Sequence, residues 1–214
     1  MDTTRLEAFS DGVFAIAITL LVLEIKVPPP NTALGAELLH LWPSYLAYVV
    51  SFLAIGTIWI NHHGMFQHIV RVNGTLLLLN VLLLMLIAFL PFPTAVLAEA
   101  FHRGTDERVA AAFYGGIHTV IGIFVTSMWR YAACGHRLLG THLTAKKARQ
   151  IERQFLIGPI AYAITAVVAL VVPWLALLLF ILLNVFYIWP RRSHESAASH
   201  IGDPTTSRDR SEGD

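Results

Sequence analysis

The 214-residue chain has one cysteine, Cys134, and little charge: Asp, Glu, Lys and Arg make up 14% of it and nearly cancel, to a formal net charge of +1. A lone thiol excludes an intramolecular disulfide, and without a CxxC pair or a Cys/His cluster at zinc spacing there are no residues for a structural metal or a redox role. A net charge this small excludes a strongly basic nucleic-acid binder. Equally missing are HExxH, GxSxG, a Walker-type loop and clustered carboxylates, so no acid, base, nucleophile or phosphate cradle can be assigned. The sequence therefore reads as no enzyme, with no cofactor and no metal site. The N-terminus, Met1 to Glu7, lacks a basic n-region, and no small-residue cleavage site follows, so the first apolar stretch is expected to be retained as a span.

What the chain has is apolar length. Hydrophobic residues make up 56%, and a helix needs about 20 mostly apolar residues to cross the hydrocarbon core. Polar punctuation places spans at about 7–26, 42–67, 73–98 and 109–131. The first is stopped by Pro28, Pro29 and Pro30, which remove backbone donors. Residues 155–189 are too long for one crossing and short for two, and Pro173 offers a break between two short helices. The expectation is an all-α membrane protein with six transmembrane helices per subunit, a six-helix transmembrane domain over 1–190, and a disordered tail over 191–214, where large apolar residues run out. Arg137, Lys146, Lys147, Arg149 and Arg153 in the fourth connection, with Arg191 and Arg192 after the last span, place both regions and both termini in the cytoplasm. Five crossings would put the basic loop and the tail on opposite sides.

The first span contains Asp11 about one turn into an apolar helix. Such an acid is either favoured by the helix macrodipole or held by a partner on another span. At about 100° per residue Ile16, Leu20 and Leu23 share one stripe, with Gly12 and Thr19 beside it and Asp11 pointing away. Periodicity leaves open whether the stripe faces lipid, another helix or a pore. His62 and His63 project about 100° apart and form no i, i+4 ligand pair, so interhelical hydrogen bonding is the plainer reading. His118 reads as a satisfied packing histidine, and Asn80 and Asn184 as contacts between helices.

Arg5 followed by Phe9, Ser10, Asp11 and Gly12 resembles the RxxxFSDG signature that opens the first helix of the transmembrane protein 175 family of potassium channels. Trp59 and His63, one turn apart, resemble the family's tryptophan and histidine, and Pro91-Phe92 its Pro-Phe ending. The resemblance implies a homotetramer of six-helix subunits in the bacterial plasma membrane, with the first helix of each lining a central pore. It implies constrictions at Ile16, Leu20 and Leu23, a polar pore position at Thr19, and an interhelical network of Arg5, Phe9, Ser10, Asp11, Trp59 and His63. Potassium would be the permeant ion, with the bilayer and other copies of the chain as partners.

No TVGYG-like filter is present, so selectivity needs another origin. A ring of apolar side chains penalises dehydration and would favour potassium, which sheds water more readily than sodium. The alternative function is a proton- or ion-coupled secondary transporter using Asp11 and His63. Against it, the chain has no repeated halves, and the broken stretch at Pro173 has no counterpart.

Overall fold

The computed structural model describes residues 3–30, 33–136, 138–140 and 143–188; the expected tail lies outside them. Eight α-helices carry the described chain: α1 (Thr3–Leu20), α2 (Leu34–His40), α3 (Trp42–Phe66), α4 (Gly74–Phe89), α5 (Pro91–Arg103), α6 (Glu107–Ala133), α7 (Ala145–Ala169) and α8 (Pro173–Ile188). One antiparallel bridge, Ile69 to Leu139, is the β pairing among the described residues. Five stretches are long and apolar enough to cross a membrane: Thr3–Glu24, Trp42–Phe66, Gly74–Arg103, Glu107–Ala133 and Ala145–Ala169. The chain is a multi-pass membrane protein. Helix α8 is apolar but shorter, at 16 residues.

Several expected boundaries move, each for a local reason. The first span starts by Thr3 and tightens into a 3-10 turn, Leu21–Glu24, before Ile25 turns extended, so it ends ahead of the prolines. The third span is longer than expected and is interrupted at Leu90. Pro91 cannot donate to the Ile87 carbonyl, which instead receives the Leu90 N–H at 3.1 Å, and α5 restarts from there. Residues 34–40, expected as connection, form α2.

The largest correction concerns the basic stretch. Lys146, Lys147, Arg149 and Arg153 are not in a loop but on the opening turns of α7, which begins at Ala145, ten residues before the expected span. Thr144 caps it, its hydroxyl accepting the Lys147 N–H at 3.3 Å. The ambiguous stretch thereby becomes one 25-residue helix plus α8, with the break at Leu170–Val172 just before Pro173.

Helix α1 packs on α3 and α4, while α6 lies along α7 in the most extensive helix pair of the fold. That pair depends on Gly122. A Cβ there would sit 2.8 Å from Cδ of Pro159, which lies inside α7. Pro159 has no N–H, so the Phe155 carbonyl one turn earlier loses its helical donor. Thr126 on α6 shares one with it, its single hydroxyl proton lying between the Gly122 carbonyl at 2.8 Å and the Phe155 carbonyl at 3.1 Å. Gly122→Ala is expected to destabilise the folded protein by about 1–3 kcal/mol through overpacking, read as a lower thermal midpoint in detergent; an unchanged midpoint would mean that α7 moves aside freely.

Candidate pore face and the network behind it

Helix α1 has two unlike faces. Leu6, Ser10, Phe14, Ala17 and Leu21 are buried, recurring at the three- and four-residue steps of a helix stripe turned to the bundle. On the opposite side Ile16 is 61% exposed, Leu20 40% and Leu23 72%. Thr19 and Gly12 are exposed with them.

The 3-10 turn changes where Leu23 stands. Residues i and i+3 eclipse in that geometry, so Leu23 lies over Leu20 instead of stepping back toward Ile16. Four residues of α-helix and three of 3-10 helix each rise about 6 Å, so the three apolar side chains are evenly spaced along one line. The Thr19 hydroxyl donates to the Ile16 carbonyl at 2.9 Å, which leaves its oxygen lone pairs free of protons.

Behind this face lies a buried polar chain whose direction follows from one atom. The Leu6 carbonyl can only accept, so the Ser10 hydroxyl donates to it at 2.9 Å. Ser10 Oγ must then accept from Asn80 Nδ2, 3.0 Å away. Asn80 therefore turns Oδ1 to His62 Nε2, at 2.8 Å, and His62 is the donor. The chain ties α1, α4 and α3 together with every heavy-atom partner buried. The rings of Phe14 and Phe66 flank His62, at centroid distances of 5.5 and 4.6 Å.

At the subunit surface Trp59 Nε1 donates to Asp11 Oδ1 at 2.8 Å, a second tie between α1 and α3. His63 stacks on Trp59 at 6.1 Å, pairs with Gln67 at 3.2 Å, and approaches Glu7 at 4.0 Å. Asp11, Trp59 and His63 are thus gathered along the α1–α3 seam, while Ser10 joins α1 to α4. Arg5 and Phe9 are not: both are exposed, Phe9 by 59%, and among the described residues no hydrogen bond or ion pair joins Arg5 to Asp11 or His63.

His62 and Asn80 carry the centre of the network, although the sequence motif points to His63. The signal for them is the buried stripe of α3, which runs through Ala47, Ser51, Ala54, Ile55 and Met65. His62 falls on that stripe and His63 beside it.

A family model described as the endosomal/lysosomal potassium channel TMEM175 matches residues 5–91, the whole of the segment that builds this seam. A potassium channel of Chamaesiphon minutus is 43% identical over 190 residues, covering 87% of this chain and 93% of the relative. The chain belongs to the TMEM175 family. A second family member, a potassium channel of Streptomyces collinus, is 42% identical over 192 residues, covering 87% of this chain and 91% of its own length. The crystal structure of a lysosomal potassium-selective channel TMEM175 homolog from Chamaesiphon minutus superposes with a TM-score of 0.79 at 41% identity, over 86% of this chain and 95% of that one. This is a family of ion channels and not of enzymes. Among the described residues no three His, Cys, Asp or Glu side chains come together as a metal site.

Proposed function

We propose that this chain is a potassium-permeable channel of the bacterial plasma membrane that conducts passively as a homotetramer. The pore is lined by α1 of each subunit, with Ile16, Leu20 and Leu23 as stacked apolar constrictions and Thr19 as a polar position between them. The observation that carries this reading is the division of α1: one face is anchored by a buried hydrogen-bond chain, and the other leaves three large apolar side chains 40–72% exposed in the single subunit. One subunit contributes one such helix and cannot enclose a pore with it. The names of the two bacterial relatives, both potassium channels, support the permeant ion.

In this reading α8 completes six crossings. Its 16 residues span about 24 Å, and the three-residue turn from α7 makes the two antiparallel neighbours. Both termini then face the cytoplasm together with the basic opening turns of α7.

Arg5, Phe9, Ser10, Asp11, Trp59 and His63 serve to hold α1 in place rather than to touch ions. The exposed faces of Arg5 and Phe9 meet neighbouring subunits. Purified protein in liposomes is expected to dissipate a potassium gradient without any proton gradient; flux that strictly requires protons would select a coupled transporter instead. Asp11→Ala removes the acceptor of the Trp59 indole, at a site exposed in the single subunit, and the expected loss is about 1 kcal/mol, seen as reduced tetramer yield with potassium-over-sodium preference intact. A fully assembled tetramer with altered preference would place Asp11 in the conduction path.

A further inference from the structure

Helix α7 begins basic and continues apolar, and its exposed side chains fall on one line. At about 100° per residue, Lys146, Arg149 and Arg153 on its opening turns share a sector of about 80° with Ile157, Ile160 and Val167 further along. All six are exposed. Lys147 and Glu152 project about 100° and 120° away from Lys146. One face of the helix therefore passes from cationic to apolar without a break.

The charges on this face are uncompensated. Among the described residues no ion pair reaches Lys146, Arg149 or Arg153. Glu152, the one acid of α7, is taken by Arg130 of α6 at 3.1 Å. The cytoplasmic bias of basic residues asks only that cations gather at one end of a span, on any face. It does not account for their alignment with the apolar line. Lys146, Arg149, Gln150, Arg153, Gln154 and Ile157 line one open groove, so the cations and the first apolar side chain border a common space.

The dimensions match one leaflet. Arg149 and Arg153 stand about 6 Å apart along the axis, within the depth of a headgroup layer, about 5–8 Å on each side of the hydrocarbon core. Their Cα–Cβ bonds tilt toward the start of the helix, so the long side chain of Arg153 leans out of the hydrocarbon toward Arg149. From Ile157 to Val167 the helix rises about 15 Å, half of a core about 30 Å thick. Of the five stretches able to cross a membrane, α7 is also the least buried within the subunit.

We propose that this face of α7 binds an anionic phospholipid of the surrounding bilayer. The lipid phosphate sits between Arg149 and Arg153, with Lys146 on its outer side, and one acyl chain lies along Ile157, Ile160 and Val167. Each basic residue near the surface favours anionic over zwitterionic lipid by about fivefold. The site rests on α7 crossing the bilayer and not on how α1 conducts ions.

The test uses the full chain, purified in detergent micelles and titrated with phosphatidylglycerol, with bound lipid counted by native mass spectrometry. The expected result is saturation at one phosphatidylglycerol per subunit, with phosphatidylcholine at least about tenfold weaker. Arg149→Gln combined with Arg153→Gln should weaken phosphatidylglycerol at least about tenfold. Lys147→Gln, which removes the same kind of charge from another face, should leave it unchanged. The proposal fails if the two lipids bind alike, if Lys147→Gln loses as much as the double variant, or if sn-glycerol 3-phosphate, which has no acyl chain, binds as tightly as the lipid. It fails too if the double variant loses its assembled form while the wild type takes up no lipid, which would make this face a contact between copies of the chain. Should the double variant not fold, Ile160→Trp decides the matter: its added fluorescence should be quenched more by phosphatidylglycerol with brominated acyl chains than by brominated phosphatidylcholine at equal mole fraction, and equal quenching overturns the proposal.

Discussion

Leu23→Ala and Ile16→Asn are expected to raise single-channel potassium conductance severalfold and to bring the potassium-over-sodium preference toward unity in bi-ionic bilayer recordings. The reason is the spacing of the α1 face. In the proposed ring of four subunits, three large apolar side chains at steps of about 6 Å would form successive narrow zones in which an ion has no protein oxygen to replace its water. Such zones conduct poorly because they dewet. Leu23→Ala withdraws three carbons from each subunit at the outermost ring, and Ile16→Asn puts a hydrogen-bonding group in the innermost. Either change lets more water stay with the ion and weakens any preference that arises from its removal. Ile164, on α7, is as exposed as Ile16 in the single subunit but belongs to another helix, so Ile164→Ala is the control and should leave currents unchanged. Unaltered currents in Ile16→Asn and Leu23→Ala would remove both residues from the conduction path.

How much of this was legible beforehand depended on whether one residue type sufficed. Proline sufficed at Pro173, which marks a break in the structure because a missing N–H acts locally, whatever surrounds it. Composition sufficed for the apolar middle of each span. It failed for the start of α7, because a hydropathy window cannot tell a basic helical turn from a basic loop, and the information lay in the Thr144 cap instead.

The network shows the same limit at side-chain level. A motif drew attention to Asp11, Trp59 and His63, which do meet along the α1–α3 seam. The deeper contacts of Ser10 with Asn80 and of Asn80 with His62 join residues 70 and 18 positions apart, a tertiary fact that no local spacing encodes. His118, expected to be satisfied, is only half so: Nδ1 lies 2.9 Å from the Tyr114 carbonyl, and Nε2 has no hydrogen-bond partner among the described residues, an outcome set by the side chains packed around it rather than by its place in the sequence.

The buried chain itself yields the second large effect. Asn80→Leu keeps the volume but removes the acceptor of His62 Nε2–H and the donor to Ser10. Ser10 is little harmed, because its own proton remains on the Leu6 carbonyl. His62 is harmed more: its donor is left unmet among Phe14 and Phe66, at a site 1% exposed. An orphaned buried donor costs about 1–3 kcal/mol, enough in a membrane bundle to lower the thermal midpoint and deplete the assembled fraction. The sign of the double variant is the sharper test. His62→Phe removes the orphan and replaces it with a third ring beside two existing ones, so His62→Phe combined with Asn80→Leu should be more stable than Asn80→Leu alone. Simple addition of the two single effects would mean that the 2.8 Å contact carries no coupling, and that α1 is held by packing around Phe14, Ala17 and Leu21 rather than by the hydrogen bonds that converge on Asn80.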